Sequence, residues 1–374
     1  NRPPGDFAMI CDASNKDAEN RQIRVFHISN MYPSNSSPSY GIFVKKLDDA
    51  FQKNGFLISG RSFLFDRKTN ILTKIFQYLN FNFKTLVFGL IQPADLYYCH
   101  FPTHSFLSLL FLKMFGKKVV VNYHGSDLMT GGAVRKLLNC LICKIANVIV
   151  APSKYFKNQL SVRTKVSENK IIVFPSCGVD FKKFPLKTHS LEGSYIAGHF
   201  CFGFISNLIP GKGVMEFLES FIRLHSNNKN ICAVIVGSGP LETSAREIIE
   251  KHDLADRVEM LGMLKNEEIS LQLERMNVLV FSSKLPESLG LVPIESLATG
   301  TPVIAGMQGA MQEYICKENG LLVDDISCSY QLYEAMNNVM INNHFQPKDV
   351  RNSVLAYDQR SVTATFFENL NVKI

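Results

Sequence analysis

Residues 278–300 read Val-Leu-Val-Phe-Ser-Ser-Lys-Leu-Pro-Glu-Ser-Leu-Gly-Leu-Val-Pro-Ile-Glu-Ser-Leu-Ala-Thr-Gly. The apolar run Val278–Ser282 predicts a buried strand, and Pro293 with Glu295 predicts the opening turn of a helix that stops at Gly300. Glu287 then lies on the connecting loop and Glu295 in the first helical turn. Ser288, Leu289, Gly290, Leu291 and Val292 lead into the helix, where backbone N–H groups and the helix dipole favour an anion such as phosphate. Two carboxylates flanking that seat can accept hydrogen bonds from hydroxyls on either side of a diphosphate. A capping glutamate beside an unrelated surface glutamate is the plain alternative on spacing alone.

The strand-then-helix unit repeats in both directions. Before it come the strands Ile23–Ser29, Leu57–Phe65, Leu96–Phe101, Val119–Tyr123, Val148–Ala151 and Ile171–Phe174, interleaved with helical patterns at 42–53, 72–90, 106–115 and 134–146. After a loose stretch with Pro185, Gly193 and Gly198, the alternation restarts at His199 and runs to a helix ending at Ile341. Apolar strands alternating with helices predict parallel sheets covered on both faces. The expected architecture is α/β, two tandem doubly wound, Rossmann-like domains facing across a cleft. Residues 1–20 lack periodicity and read as a tail. The expected divisions are an N-terminal domain over 21–185, a linker over 186–198 and a C-terminal domain over 199–355, with a helix at 356–374 packing back on the first domain.

The 374 residues are 46 % hydrophobic and 20 % charged, a balance that excludes a disordered chain. No apolar run reaches the ~20 residues of a membrane span, and the start lacks a signal-peptide layout. Nine scattered cysteines suit reduced thiols in a cytosol. Cys140 and Cys143 have CxxC spacing without a second pair, which favours a helix face over zinc. Residues 1–190 carry 26 Lys/Arg against 11 Asp/Glu, net +15, whereas 191–374 carry net −8. The basic half therefore points to a polyanionic partner: an acidic membrane surface, a phosphorylated substrate or nucleic acid. No nucleic-acid recognition motif accompanies it.

Three further loops follow predicted strands. Ser206-Asn207-Leu208-Ile209-Pro210-Gly211-Lys212-Gly213 offers Lys212 to a phosphate at a helix start, without the GxxxxGK[ST] pattern of a P-loop. Gly237-Ser-Gly-Pro-Leu-Glu242 supplies GxG, but Glu242 stands where a dinucleotide fingerprint needs a small residue. Tyr123-His-Gly-Ser-Asp127 places His124 at a strand's C-terminal end, with Asp127 or its small neighbours to orient it. In the first strand–helix loop Gly41 permits close backbone approach. No DxD motif implies a metal-held diphosphate.

Together these residues resemble family 4 of the retaining GT-B glycosyltransferases, over about residues 22–370. The resemblance rests on Glu287–Glu295, like that family's Glu-x7-Glu motif, with Gly300-Thr-Pro-Val-Ile304, Gly237-Ser-Gly-Pro-Leu241, Leu261-Gly262, His124-Gly-Ser-Asp127, Gly178-Val-Asp180 and Lys212-Gly213. It implies a metal-independent transferase without a cofactor that moves a sugar, with retention, from a nucleotide-sugar donor (UDP being the commonest) to a glycan or lipid-linked acceptor. In that reading Glu295 holds the ribose and Glu287 the transferred sugar. Lys212 and the amides of Leu289 to Val292 neutralise the leaving diphosphate, Gly41 lets its loop close over the phosphates, Asn207, Ser288 and Gly237 line the donor, and His124 contacts the sugar. Asn207 departs from the family's usual arginine, so one expected cation is missing. The resemblance further implies a cytoplasmic protein docked on the inner face of the membrane through its basic half, by salt-sensitive attraction rather than insertion. A GT-B epimerase, a phosphorylase and a non-enzymatic partner subunit are the alternatives.

Overall fold

A computed structural model describes residues 22–33, 41–64, 70–129, 131–187 and 196–374. The expected tail at 1–20 and most of the expected linker at 186–198 lie outside the described residues. The chain divides into two compact units, 1–150 with 371–374, and 151–370.

The first sheet contains β1 (Arg24–Ser29), β2 (Leu57–Phe63), β3 (Leu96–His100), β4 (Val119–Asn122), β5 (Val148–Ala151) and β6 (Ile171–Val173), in the order β2-β1-β3-β4-β5-β6. Its strands are short and rich in β-branched and aromatic residues, and every residue of β3, β4 and β5 is buried. That is why these strands read as continuous apolar runs rather than alternations. The helices between them are α1 (Ile42–Lys53), α2 (Ile71–Ile91), α3 (Phe106–Met114), α4 (Ser126–Met129) and α5 (Ala133–Ile145). In α1 the buried Val44, Leu47 and Phe51 recur at helical spacing and face the sheet.

The second sheet contains β7 (Phe200–Ile205), β8 (Ile231–Val236), β9 (Val258–Gly262), β10 (Val278–Phe281), β11 (Val303–Gly306) and β12 (Gly320–Val323), in the order β12-β11-β10-β7-β8-β9. The helices from 151 onward are α6 (Lys154–Thr164), α7 (Val214–Asn227), α8 (Glu242–Lys251), α9 (Asn266–Arg275), α10 (Leu291–Ala298), α11 (Ser329–Ile341), α12 (Pro347–Asn352) and α13 (Gln359–Lys373). Apolar side chains cover both faces of this sheet, Phe202, Phe204, Phe217 and Phe221 in one cluster and Leu279, Ile294, Leu297 and Met311 in the other.

The two compact units divide at Ala151, ahead of the expected linker, because α6 and the segment behind it are tied to later residues. The amides of Lys154 and Tyr155 donate to Glu313, Phe174 stacks on Phe366 at 4.0 Å, and Gln359 N donates to Val179 O. The helix after β10 begins at Leu291, two residues before Pro293, because Gly290 takes the left-handed conformation (φ 78°) and serves as its N-cap. Glu295 therefore sits in the second turn, not the first.

In both sheets the order of strands reverses once: between β1 and β3 in the first, between β7 and β10 in the second. At such switch points neighbouring loops diverge and leave a crevice beyond the strands' carboxyl ends, where α/β folds bind ligands. At the second of these, Gly213 approaches the β10 side so closely that a Cβ there would lie 2.0 Å from the Ser282 carbonyl oxygen. Its φ of 86° adds the left-handed penalty of about 1–2 kcal/mol for any other residue. Gly198 shares the positive φ but has open space around it among the described residues. Gly213→Ala should therefore lower stability by at least about 2 kcal/mol more than Gly198→Ala, as read from denaturant midpoints. Equal losses would show that the loops separate without cost.

Candidate functional site

In the unit 151–370, the loops after β7 and β10 are stitched together at the switch point. Lys212 Nζ lies 2.5 Å from Glu287 Oε1, and Lys284 Nζ lies 2.5 Å from Glu216 Oε1 in the first turn of α7. Ser282 Oγ donates to Gly213 O, and Lys284 N donates to Gly211 O. Lys212 and Glu287 come from positions 75 residues apart, and their side chains are 18 % and 20 % exposed. Largely withdrawn from water, each compensates the desolvation of the other. Ser283 Oγ donates to the same Glu287 oxygen at 2.7 Å, so one carboxylate oxygen is held from two sides.

The loop after β11 braces this arrangement from below. Gln308 Nε2 donates to Ser283 O and Ala310 N donates to Glu287 O. Between them Gly309, at φ 65°, passes so near that a Cβ would lie 2.5 Å from Glu287 O. The buried Tyr314 hydroxyl spans the carbonyls of Leu289 and Gly290, at 2.9 and 3.1 Å. In a trans peptide the N–H points opposite to the C=O, so this clasp aims the amides of Gly290 and Leu291 away from Tyr314. With Val292 they open α10, whose N-cap carries no side-chain cap. The opening of α10 thus presents oriented backbone dipoles of the kind that favour an anion.

The other expected residues fall as follows. Leu289 is buried in the core, so only its backbone faces the loop. Ser288, Gly290 and Val292 are half-buried, as is Glu295 on α10. Asn207 is exposed on the loop after β7. Gly237, at the end of β8, accommodates the Ser206 carbonyl of its own chain. Gly309, Gln308, Tyr314 and Glu216 were not among the sequence expectations.

In the unit 1–150 with 371–374, Gly41 is the left-handed N-cap of α1 and receives the backbone of Met31 and Tyr32. His124 follows β4. Asp127 does not orient its ring: the carboxylate accepts the backbone N–H groups of His124 and Gly125. The ring is held instead by His100, whose Nδ1 lies 2.8 Å from His124 Nε2. His100 in turn meets His27, at 2.9 Å between Nε2 atoms, and His27 Nδ1 meets Asp48 Oδ1 at 2.9 Å. Neither His27 nor His100 was expected at a site. The rings of Phe43 and Phe101 lie against His124, each at 4.6 Å between centroids. Burial holds His27, His100 and His124 below the ordinary imidazole value.

Two family models match the chain: glycosyltransferase family 4 over residues 48–183, and glycosyl transferases group 1 over 197–353. A capsular polysaccharide biosynthesis glycosyltransferase, CapM of Staphylococcus aureus, is 29 % identical over 189 residues, 48 % of each chain. The GPI3 subunit of a phosphatidylinositol N-acetylglucosaminyltransferase of Saccharomyces cerevisiae is 25 % identical over 240 residues, 63 % of this chain and 52 % of its own. The chain spans about half the length of these curated relatives. Among solved structures, HepE of Anabaena in complex with UDP superposes with a TM-score of 0.72 at 16 % identity, covering 94 % of this chain and all of the other. At that identity the likeness establishes the fold, GT-B.

Burial pushes the Asp127 carboxyl up to about 6, against the pull of its four backbone N–H donors. The folded carboxyl holds its proton more tightly than the unfolded one. This contribution to stability is therefore complete below about pH 4 and is lost as pH rises through about 6. Two pH units correspond to about 3 kcal/mol. Asp127→Asn should gain stability relative to the wild type by up to about 3 kcal/mol between pH 4 and pH 8. Chemical denaturation of both proteins across that range measures it; a pH-independent difference would place the carboxylate in a solvated setting.

Proposed function

The chain belongs to the GT-B glycosyltransferases, with a family 4 region ahead of a group 1 region, and from that premise we propose its reaction. It transfers a sugar from a nucleotide-sugar donor, UDP-linked, to a glycan or lipid-linked acceptor in the synthesis of a surface polysaccharide or glycolipid. The observation that carries this reading is the meeting of Lys212 and Glu287 beside the opening of α10 at the switch point of the second sheet. The names of the capsule and phosphatidylinositol relatives and the UDP complex of the Anabaena structure agree with it.

In this mechanism the diphosphate rests on the amides of Gly290, Leu291 and Val292, and Lys212 turns to it as a point charge. An anion thereby replaces an anion as the partner of Lys212, and Glu287 is released towards hydroxyls of the transferred sugar. Glu295 holds the ribose, and His124 contacts the sugar. Stabilising the leaving diphosphate is the electrostatic task that a metal performs elsewhere, so no metal or cofactor is required. Departure and attack occur on the same face, and configuration is retained.

We further place the protein peripherally on the cytoplasmic face of a membrane. No helix among the described residues is long and apolar enough to cross one. On α2, Leu72, Ile75, Phe76, Leu79 and Phe83 are each more than half exposed. Their spacing forms one stripe opposite the buried Phe81 and Thr85, and the only charges on α2 are Lys74 and Lys84. Such a helix lies in the interface with its apolar face immersed. This alters the salt-sensitive docking expected from charge alone. The segment 106–115 contributes in the same sense, since Leu107, Phe111, Met114 and Phe115 of α3 and its end are exposed.

UDP-sugars should raise the thermal midpoint of the protein by mass action. Glu295→Ala should cost about 1–3 kcal/mol of donor affinity, because ribose hydroxyls lose a half-buried partner. Glu287→Ala should abolish most turnover and leave UDP affinity equal or higher, because Lys212 is freed for phosphate. Calorimetry with UDP separates the two; parallel losses in both variants would contradict the assignments. On vesicles, binding should rise with anionic lipid, and a fraction should persist at about 0.5 M salt, where the Debye length falls to ~4 Å. That fraction should vanish on replacing Leu72, Phe76 and Phe83 by Ser; complete release by salt would leave charge as the sole attraction.

A further inference from the structure

Asp48, His27, His100 and His124 form one unbroken row of hydrogen bonds at the switch point of the first sheet. Asp48 projects from α1, His27 from β1, His100 ends β3 and His124 follows β4. The successive contacts are 2.9, 2.9 and 2.8 Å. His27, His100 and Asp48 are at most 2 % exposed. Two nitrogens sharing a tetrahedral metal, at bond lengths of ~2.05 Å, stand about 3.3 Å apart. The shorter separations here fit a proton between each pair.

Every proton in the row follows from the first. Arg61 donates twice to Asp48 Oδ2, through Nε at 2.9 Å and Nη2 at 2.8 Å, and this carboxyl lies below its usual range. An ionised carboxylate only accepts, so His27 Nδ1 carries a hydrogen. Burial keeps His27 neutral, so its Nε2 accepts and His100 Nε2 must donate. His100, also neutral, then accepts at Nδ1 from His124 Nε2. We propose that Asp48 is a positioning residue that sets the tautomer of His124 through two intervening histidines. It leaves His124 Nδ1 as a hydrogen-bond acceptor.

This rests on the reading that His124 contacts the transferred sugar, and it adds what the contact does: His124 accepts from a sugar hydroxyl and does not donate. The surroundings are arranged to keep the ring in place. Phe101 adopts a left-handed backbone (φ 49°), costly for an aromatic residue, and lays its ring on His124 from one side while Phe43 leans on it.

The test uses full-length protein labelled with 15N-histidine, with long-range proton–nitrogen spectra reading which ring nitrogen is protonated. Single His→Gln variants assign the signals. In the wild type His27 should be protonated at Nδ1, and His100 and His124 at Nε2. Asp48→Asn should invert all three. Arg61 requires an acceptor, so the amide oxygen must face it, and the amide NH2 then turns to His27 Nδ1. Inversion should lower kcat at least tenfold with UDP affinity unchanged. A wild-type His124 protonated at Nδ1 overturns the proposal, even if the variant fails to fold. A folded Asp48→Asn protein with unaltered tautomers overturns it too. Inversion without loss of turnover upholds the row and removes His124 from the sugar, which separates this inference from the functional reading beneath it.

Discussion

The ion pair between Lys212 and Glu287 is the interaction on which the candidate site in the second unit depends. A lone ammonium one-fifth exposed beside a helix opening would be poorly solvated and would draw the loop outward. Paired with Glu287, it holds the loop after β7 against the loop after β10, and the Gly213–Ser282 approach locks the same seam through backbone. The pair is also incomplete by design of its surroundings. Glu287 keeps a second partner in Ser283, so loss of Lys212 to another anion leaves the carboxylate hydrogen-bonded. An exchange of partners therefore carries less desolvation cost than the rupture of an isolated buried pair.

Both units place their polar residues by the same topological rule. Parallel strands bury their apolar runs and present only their carboxyl ends to loops, so chemistry collects where strand order reverses. In the second sheet the crevice holds opposite charges and helix-start amides, an arrangement suited to phosphate. In the first it holds neutral imidazoles and aromatic rings, an arrangement suited to hydroxyls and ring faces. The backbone scheme is shared; the residues at two pairs of strand ends distinguish them.

How much of this was legible in the sequence follows from how local each signal is. The β–α alternation and the Glu287-to-Glu295 spacing are written in consecutive residues, and the elements there match to within a residue or two. The sequence marks the start of α10 two residues late, because Pro293 is a strong local marker and a left-handed Gly290 is not. Helix α6 escaped because Lys-Tyr-Phe-Lys-Asn-Gln-Leu-Ser-Val-Arg-Thr has little apolar periodicity; its start is secured by Glu313, 159 residues away from Lys154. Tyr314 looked like any buried aromatic, since its clasp on Leu289 and Gly290 depends on a loop 25 residues off. His27 and His100 lie inside apolar strands, and Asp48 sits on a helix rich in lysine and aspartate, so each had an ordinary local explanation. Only their convergence gives them chemistry.

Helix α2 shows the same principle at the surface. Its sequence is apolar on all sides, which ordinarily marks a helix buried on all sides. Here one side, at Phe81, Thr85 and Gly89, meets the protein, and the opposite stripe is exposed. Several large aromatic and aliphatic side chains exposed to water on one helix are costly to solubility. In the proposed docking, an environment apolar inside and anionic at its edge would relieve that cost and meet the lysines that are the only charges on the helix. The net positive charge of residues 1–190 and the exposed stripe of α2 are separate properties, and in the proposed docking the stripe would add what charge alone lacks: a depth of contact that salt does not screen.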